Sequence, residues 1–166
     1  MNDIRIPLGL CEVSYDGQQI KYLADKVVFE AKPKYQTMQA GQGKGYILED
    51  YEVSLTMSVS NELYETMKLA NPSLIDHAHG MFDNPTEVNK KGKQLTIHPY
   101  EAGDSKKYDI TIFSAIVDPK QPYIRAFDKK MDKVKIRFLG QPSKQMSDSK
   151  FKSYYFIGDV EKVGDS

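Results

Sequence analysis

Residues 47–59, ILEDYEVSLTMSV, decide the fold class, because apolar and polar residues alternate along most of this stretch. One face of the predicted strand carries Tyr51, Val53, Leu55, Met57 and Val59. The other face carries Asp50, Glu52, Ser54, Thr56 and Ser58. A period of two over this length is typical of a half-buried β-strand.

Most of the remaining chain also predicts strands. The predicted strands are residues 93–98 (KQLTIH), 108–117 (YDITIFSAIV), 132–139 (DKVKIRFL), 151–157 (FKSYYFI) and a short apolar run, Val27, Val28 and Phe29, that ends before Pro33. One helix is predicted over residues 61–70 (NELYETMKLA), with Ser60 or Asn61 as N-cap and Leu63, Met67, Ala70 and Leu74 as its buried stripe. The fold class that this order predicts is mainly β: an antiparallel β-sandwich or open barrel with one packed α-helix.

The chain length predicts a single domain over residues 1–166, because this is long enough to bury one core. A loop is expected near residues 33–46. A flexible, exposed loop is expected near residues 76–93, where turn formers and charged residues cluster.

The charge balance argues against a nucleic-acid-binding protein. The sequence has 23 basic and 23 acidic side chains, so the formal net charge is zero, whereas phosphate neutralisation usually needs a basic excess. Zero net charge also gives little repulsion between copies of the chain. The single cysteine excludes an internal disulfide. The sequence shows no hydrophobic signal core, and none of its apolar runs approaches the ~20 residues of a membrane span. We therefore expect a protein that is made in the cytoplasm and has no membrane partner.

The glycine-rich stretch GQGKGY at residues 41–46 invites comparison with a phosphate-binding loop. Such a loop needs a helix after the glycines, and here a predicted strand follows, so a hairpin loop is favoured. His77 and His79 could suggest a metal, but an H-x-H pair shares a face only on a strand, and this segment is predicted to be loop. No catalytic, metal or cofactor site is predicted.

The aromatic residues Tyr154, Tyr155 and Phe156 stand beside Lys150 and Lys152. Aromatics next to lysines can stack bases while the cations contact phosphates. In a sheet protein, an aromatic-rich strand more often serves the core and an interface. The second interpretation is favoured.

The polar face of the 47–59 strand is unusual, because its five alternate positions include no basic residue. Glu30 is expected beside them on the paired strand. An acidic, hydroxyl-rich strip suits a surface past which a polyanion moves without binding, and also the water-filled interior of a barrel. An accidental acidic surface is the alternative.

The order of strand, glycine-bearing loop, long alternating strand and helix (GQGKGYILEDYEVSLTMSVSNELYETMKLA), followed by IRFLGQP, resembles the tail tube (major tail) proteins of long-tailed phages and their relatives in contractile injection machines. The resemblance covers residues 27–158. It implies hexameric rings whose inner sheets join into one continuous β-barrel, and a long loop that bridges stacked rings. DNA would pass through the tube without specific binding, and the protein would lie in the virion tail after assembly in the host cytoplasm. The implied partners are other copies, the tape measure and the terminator.

The resemblance also assigns residues. The lumen-facing residues would be Glu30, Asp50, Glu52, Ser54 and Thr56. The inter-ring stacking loop, residues 38–46, would include Met38, Gly41, Gly43, Lys44, Gly45 and Tyr46. The glycines would keep this loop mobile in the free subunit, Met38 and Tyr46 would supply the buried contact, and Lys44 would meet acidic groups on the next ring.

Two other classes remain open. The chain could be another tail-assembly protein on a similar scaffold, such as a terminator or distal tail component, or a monomeric β-sandwich that binds a small ligand. Self-assembly distinguishes the three classes. A tube protein should form long tubes, a terminator a single ring, and a ligand-binding sandwich a stable monomer. The loop at residues 76–93 matches no feature of the resembled family.

Overall fold

The computed structural model describes residues 9–21, 23–60, 63–86, 91–130, 133–143 and 153–163. In these ranges the chain forms ten strands and one α-helix. The strands are β1 (Cys11–Tyr15), β2 (Gln18–Gln19), β3 (Val28–Ala40), β4 (Gly43–Val59), β5 (Leu74–His77), β6 (Gly80–Asp83), β7 (Lys93–Pro99), β8 (Ile110–Val117), β9 (Val134–Gln141) and β10 (Tyr155–Ile157). The helix is α1 (Tyr64–Ala70).

Eight of the strands form one antiparallel sheet in the order β2-β1-β7-β8-β9-β4-β3, with β10 also paired to β8. β8 pairs with β10 through its first residues and with β9 through its last ones. The sheet curls over its own inner face, since the Tyr15 hydroxyl on β1 donates to the Ala115 carbonyl at 3.0 Å, and the Tyr15 and Phe138 rings lie 4.8 Å apart. It does not close into a barrel, and the predicted fold class is confirmed.

The core lies on the concave side of the sheet. Its buried members are Val13, Val53, Leu55, Met57, Val59, Ala70, Leu95, Ile97, Ile112, Ala115, Val117, Val134, Ile136 and Phe138. The apolar face of β4 is therefore inside from Val53 to Val59, as the alternation predicts. Tyr51, at the outer end of this face, is half-buried.

The helix is shorter than predicted. It begins after Leu63, which takes the N-cap position in an extended conformation without a side-chain hydrogen bond; residues 61 and 62 lie outside the described residues. Leu63 remains 45% exposed, so its assignment to the buried stripe is wrong. The end at Ala70 agrees with the prediction, and Ala70 packs into the core.

The segment at residues 76–93, predicted as a flexible loop, contains regular structure. β5 and β6 form an antiparallel hairpin in which Ile75 pairs with Phe82, and β7 begins at Lys93. Residues 87–90 of this segment lie outside the described residues. The prediction gave too much weight to turn formers and too little to this apolar cross-strand pair. β1 and β2 were not predicted either.

Candidate assembly surface

β3 and β4 form a long two-stranded ribbon whose outer half extends beyond the core. The pairing runs from Val28 opposite Thr56 to Ala40 opposite Gly43. The expected stacking loop at residues 38–46 is therefore mostly a paired β-hairpin, and the prediction of a loop conformation is wrong. We call residues 33–50 the arm.

The turn at the end of the arm explains one of the three glycines. Gly41 has φ +60°, which a two-residue hairpin turn requires and which glycine adopts without a Cβ clash. Gly43 and Gly45 have no positive φ and lie within β4. A Cβ on Gly45 would meet only the Met38 carbonyl, at 3.9 Å. These two glycines leave the tip with little side-chain cover.

A β-bulge lies within the arm, near the end that joins the rest of the ribbon. Lys34 pairs with Asp50 but Tyr35 pairs with Leu48, so Glu49 is the extra residue. Lys34 Nζ lies 3.0 Å from a Glu49 carboxylate oxygen. Since successive side chains alternate between faces, the bulge brings Leu48 to the same face as Tyr51. The extra residue explains why the alternation of apolar and polar residues is interrupted at residues 47–50 (ILED).

The arm exposes apolar side chains on both faces. The exposed ones are Tyr35, Met38, Tyr46, Ile47 and Leu48, each between 45% and 68% accessible. The register puts Tyr35, Tyr46 and Leu48 on the face that continues the core, and Met38 and Ile47 on the opposite face. Lys44 is the only charged residue in residues 35–48. Exposed large apolar side chains grouped in this way usually mark an interaction site.

β3 is an edge strand. It has 13 residues, more than twice the usual strand length, and no strand of the described chain pairs with its outer side. An unpaired edge of this length offers a template for strand addition. Pro33, which has no N–H, stands between Lys32 and Lys34 in the middle of this edge, a composition that limits uncontrolled pairing.

Aromatic contacts hold the ribbon where it leaves the core. The Tyr51 ring lies 5.0 Å from that of Tyr154, and the Phe29 ring lies 5.0 Å from that of Tyr155. Burial, together with a hydrogen bond to Tyr155, raises the pKa of Tyr51 to about 12. Tyr154 and Tyr155 therefore pack against the core, which agrees with the structural interpretation of this aromatic strand rather than with base stacking.

The expected lumen residues share one face of the ribbon, opposite the core. Glu30 pairs with Ser54, and the register puts Asp50, Glu52 and Thr56 on the same side. Asp50 and Glu52 are exposed and Thr56 is half-buried. Ser54 is only 4% exposed, so it offers almost no surface to a channel.

This face is not acidic as a whole, contrary to the sequence-based interpretation. The strands on either side of β4 contribute cations: Lys32 and Lys34 from β3, and Lys135 and Arg137 from β9. Lys32 Nζ lies 2.8 Å from a Glu30 carboxylate oxygen. The acidic pattern along one strand could not reveal the charges on its neighbours.

Arg137, on β9, forms ion pairs with two carboxylates at this face. It donates through Nη1 to Asp118 at 2.6 Å and through Nη2 to Glu52 at 2.7 Å, and the hydrogen bond to Asp118 is the largest cause that raises the pKa of Arg137. Asp118 is buried and also accepts from the Lys120 backbone N–H at 2.9 Å. The network joins the 118–121 turn, β9 and β4, and nothing in the sequence identified it.

The histidine positions do not converge on a metal site. The His77 and His79 rings lie 6.1 Å apart at the end of the β5–β6 hairpin. Within the residues that the structure describes, no group of three or more histidine, cysteine or carboxylate side chains is placed to hold a metal ion. The same residues contain no helix that is long and apolar enough to cross a membrane.

Solved structures of other proteins share this fold, and two of them are the following. One is a chain of the PVC sheath-tube complex in its extended state, from an extracellular contractile injection system studied by cryo-EM: TM-score 0.56, 14% identity, 96% of this chain and 95% of that chain covered. The other is a chain of the PVC sheath/tube terminator in the extended state: TM-score 0.55, 13% identity, with 96% and 100% covered. The chain has the fold of injection-system components. At these identities the likeness concerns the fold.

No protein-family model matches the chain, and no curated protein is similar to it in sequence. The structural neighbours agree with the resemblance to tail-tube-like proteins. They come from contractile injection systems rather than from long-tailed phages.

Proposed function

We propose that the protein is a structural subunit of a tail tube, which assembles through its own copies into stacked rings. The observation that carries this proposal is the β3–β4 ribbon. Its long edge strand has no partner on its outer side among the described strands, and it ends in an arm with five exposed, large apolar side chains. An isolated subunit gains nothing from exposing this surface, because burying apolar area is favourable by about 25 cal/mol per Å². Copies of the same chain can cover it in a symmetric assembly.

In this proposal the edge of β3 pairs with a neighbouring copy within a ring. The sheet then continues from subunit to subunit, and the face with Glu30, Asp50, Glu52 and Thr56 lines the channel; Ser54 lies on the same face but is buried. The ring would be hexameric, as the resemblance implies. The arm, with Met38, Gly41, Gly43, Lys44, Gly45 and Tyr46 at its tip, would contact the next ring.

The charges of this face suit the passage of DNA in a phage tail. Lys32, Lys34 and Arg137 are each within 3.0 Å of a carboxylate oxygen. Cations that are already paired offer weaker contacts to phosphate, so a polyanion would pass without being held. The tape measure would be a further partner, as the resemblance implies.

A second candidate is a tube terminator. The likeness to the PVC terminator chain favours this candidate, because 100% of that chain is covered. Its TM-score of 0.55 is close to the 0.56 of the sheath-tube chain. A terminator would form one ring and stop, whereas a tube subunit would continue to stack. A third outcome, a monomer at all concentrations, would instead support a ligand-binding sandwich.

Negative-stain electron microscopy of the purified protein over a range of concentrations tests the proposal. Hollow tubes of uniform diameter and variable length are expected. Uniform single rings would support the terminator instead. A monodisperse monomer at millimolar concentration, measured in parallel by light scattering, would contradict both.

A further inference from the structure

His98, near the end of β7, joins the sheet to the turn that follows it. Its Nδ1 lies 2.5 Å from a carboxylate oxygen of Asp109, and its Nε2 lies 2.8 Å from the Gly103 carbonyl oxygen. The Asp109 side chain is 9% exposed and the His98 side chain 24%. One imidazole therefore links β7 both to the residue before β8 and to residues 100–105, which we call the Gly103 turn.

The backbone hydrogen bonds of the Gly103 turn are of two kinds. The Tyr100 N–H donates to the Leu10 carbonyl at 3.0 Å, outside the turn. The bonds donated by the Gly103 and Ser105 N–H groups, both at 3.1 Å, lie within the turn. Bonds of the second kind do not fix the position of the turn on the sheet. The contact from His98 to the Gly103 carbonyl therefore helps to hold the turn in place.

Asp109 is anchored independently of this contact. Its N–H donates to the Lys106 carbonyl at 3.2 Å, and its carbonyl accepts from the Gly158 N–H at 2.9 Å. The next residue, Ile110, begins β8, which pairs with β7. These bonds keep Asp109 beside His98 when the contact to the turn is lost.

The two contacts of the His98 ring need two donors. The imidazolium form donates through both nitrogens, whereas a neutral imidazole keeps one N–H and has a lone pair on the other nitrogen. When the ring loses a proton, one of its two acceptors faces that lone pair. A hydrogen bond to a carboxylate is stronger than one to a neutral carbonyl. The remaining proton therefore stays on Nδ1, and the contact to Gly103 is the one that is lost.

The charges around the ring determine the pH at which this happens. The hydrogen bond to Asp109 is the largest cause that raises the pKa of His98; burial lowers it, while the Gly103 carbonyl and Glu12, which lies opposite His98 on β1, raise it. The turn and the residues just after it carry further charged side chains, those of Glu101, Asp104, Lys106 and Lys107, of which Lys106 pairs with Glu161 at 2.8 Å. The contact to Gly103 is therefore present below the raised pKa and lost above it.

We propose that His98 is a proton-controlled latch on the Gly103 turn. The protonated ring holds the turn against the sheet, and the neutral ring keeps Asp109 and releases the turn. Tyr100 in this turn lines a groove of about 880 Å³ together with Leu10 and Cys11, so the latch controls whether one wall of this groove is ordered. It operates within a single subunit and does not require assembly.

The nitrogen-15 signals of the histidine rings test which contact survives. The unassembled protein is measured over a pH series that begins below the usual histidine pKa of about 6.5. Neutral His98 should carry its proton on Nδ1. His77 is the internal reference, because its Nδ1 accepts from the His79 N–H at 3.4 Å, which leaves the proton of its neutral ring on Nε2. A neutral His98 with its proton on Nε2 would overturn the proposal, since the contact to Asp109 would then be the one lost.

Amide hydrogen exchange tests the release of the turn. After correction for the intrinsic pH dependence of exchange, the amides of Gly103 and Ser105 should exchange several-fold faster as His98 loses its proton, because the turn then opens locally. The amides of Asp109 and Gly158 should show no such increase. Unchanged exchange in the turn, or an equal increase at all four amides, would contradict a latch.

Two variants test whether the His98 ring is responsible. His98→Gln removes the titrating ring, so the pH-linked increase in exchange should disappear, and an increase that persists would overturn the proposal. Glu12→Gln removes a carboxylate that raises the pKa of His98 and leaves the ring and both of its acceptors in place. It should move the titration of the ring and the release of the turn to lower pH together. A release that stays at its original pH while the titration of His98 moves would also overturn the proposal.

Discussion

Arg137 is the side chain whose loss the structure predicts to be most costly among the polar residues of the ribbon face. Replacing it by methionine leaves the buried Asp118 carboxylate without its charged partner, and removing one partner of a buried pair typically costs about 3 kcal/mol. Arg137→Met should lower the free energy of unfolding by about 2–3 kcal/mol, measured by urea denaturation at a concentration too low for assembly.

Glu52→Gln is the matched control for this prediction. It removes the other partner of Arg137, but the Glu52 side chain is 45% exposed, and exposed ion pairs contribute less than about 1 kcal/mol. Equal losses in the two variants would show that burial of Asp118 does not determine the cost.

His98 makes the stability of the 99–109 loop depend on pH. Its Nδ1 lies 2.5 Å from an Asp109 carboxylate oxygen and its Nε2 2.8 Å from the Gly103 carbonyl. An ionised Asp109 carboxylate and a backbone carbonyl both accept hydrogen bonds, so these contacts favour the imidazolium form, in which both ring nitrogens donate. The hydrogen bond to Asp109 is the largest cause that raises the pKa of His98.

The sign of this dependence follows from the raised pKa. The stabilisation is fully present below the unfolded pKa of about 6.5 and is lost as the pH rises through the higher folded pKa. The unfolding free energy should therefore fall as the pH rises from about 6.5 through the higher folded pKa of His98, measured by denaturation at each pH. His98→Gln should flatten this slope. The wild-type protein and the variant share His77 and His79, so these residues cannot cause a difference between them. The same dependence of unfolding free energy on pH in both proteins would contradict the assignment to His98.

The arm as an element is paired but has no core beneath it. Opening such a hairpin locally costs little, because few buried contacts are lost. Amides of residues 43–48 should therefore exchange hydrogen much faster than those of residues 53–59 in the unassembled protein, and should become protected on assembly. Strong protection of the arm in a verified monomer would argue that it needs no neighbour.

The turn of the arm offers a pair of glycines for comparison. Gly41→Val places a β-branched residue at φ +60°, which costs about 1–2 kcal/mol, whereas Gly43→Val acts at a position without positive φ. Gly41→Val should raise the concentration needed for tube formation about tenfold, since 1.4 kcal/mol is a factor of ten. The global stability of the monomer should change little, because local opening of the arm relieves this strain in the unassembled subunit. Equal effects of the two substitutions on light scattering would contradict a role for the turn geometry.

The whole assembly is needed to test the assignment of the channel. Changing both Asp50 and Glu52 to lysine should preserve the fold, because both side chains are exposed and such substitutions usually cost little. The channel would then carry an excess of cations and hold phosphate in a salt-dependent way. Particles with both changes should attach to cells normally but deliver DNA slowly.

A control with the same change in charge keeps this prediction specific. Glu65→Lys and Asp104→Lys alter exposed residues outside the ribbon face and should leave delivery unchanged. Normal delivery by the Asp50 and Glu52 variant, or labelling of these two residues on the outside of assembled tubes, would show that this face does not line the channel.

Local patterns in the chain were enough to predict the fold class and one face of the core. The alternation of Val53, Leu55, Met57 and Val59 identified a half-buried strand, because side-chain direction along a strand depends only on position in the sequence. The end of the helix at Ala70 followed from Asn71 and Pro72 in the same local way. The resemblance in the order of elements also agreed with the injection-system fold.

What no local pattern could reveal depends on pairing between distant residues. The arm was predicted as a loop because its glycines are turn formers, yet the register with residues 35–40 makes it a hairpin. The polar face of β4 around Glu52 is acidic along its own strand. Lys32 on β3 and Arg137 on β9 add positive charge to this face, and only the fold places these strands beside β4. The net charge of a surface and the exposure of its side chains depend on which distant segments lie next to each other, and only the tertiary structure determines that.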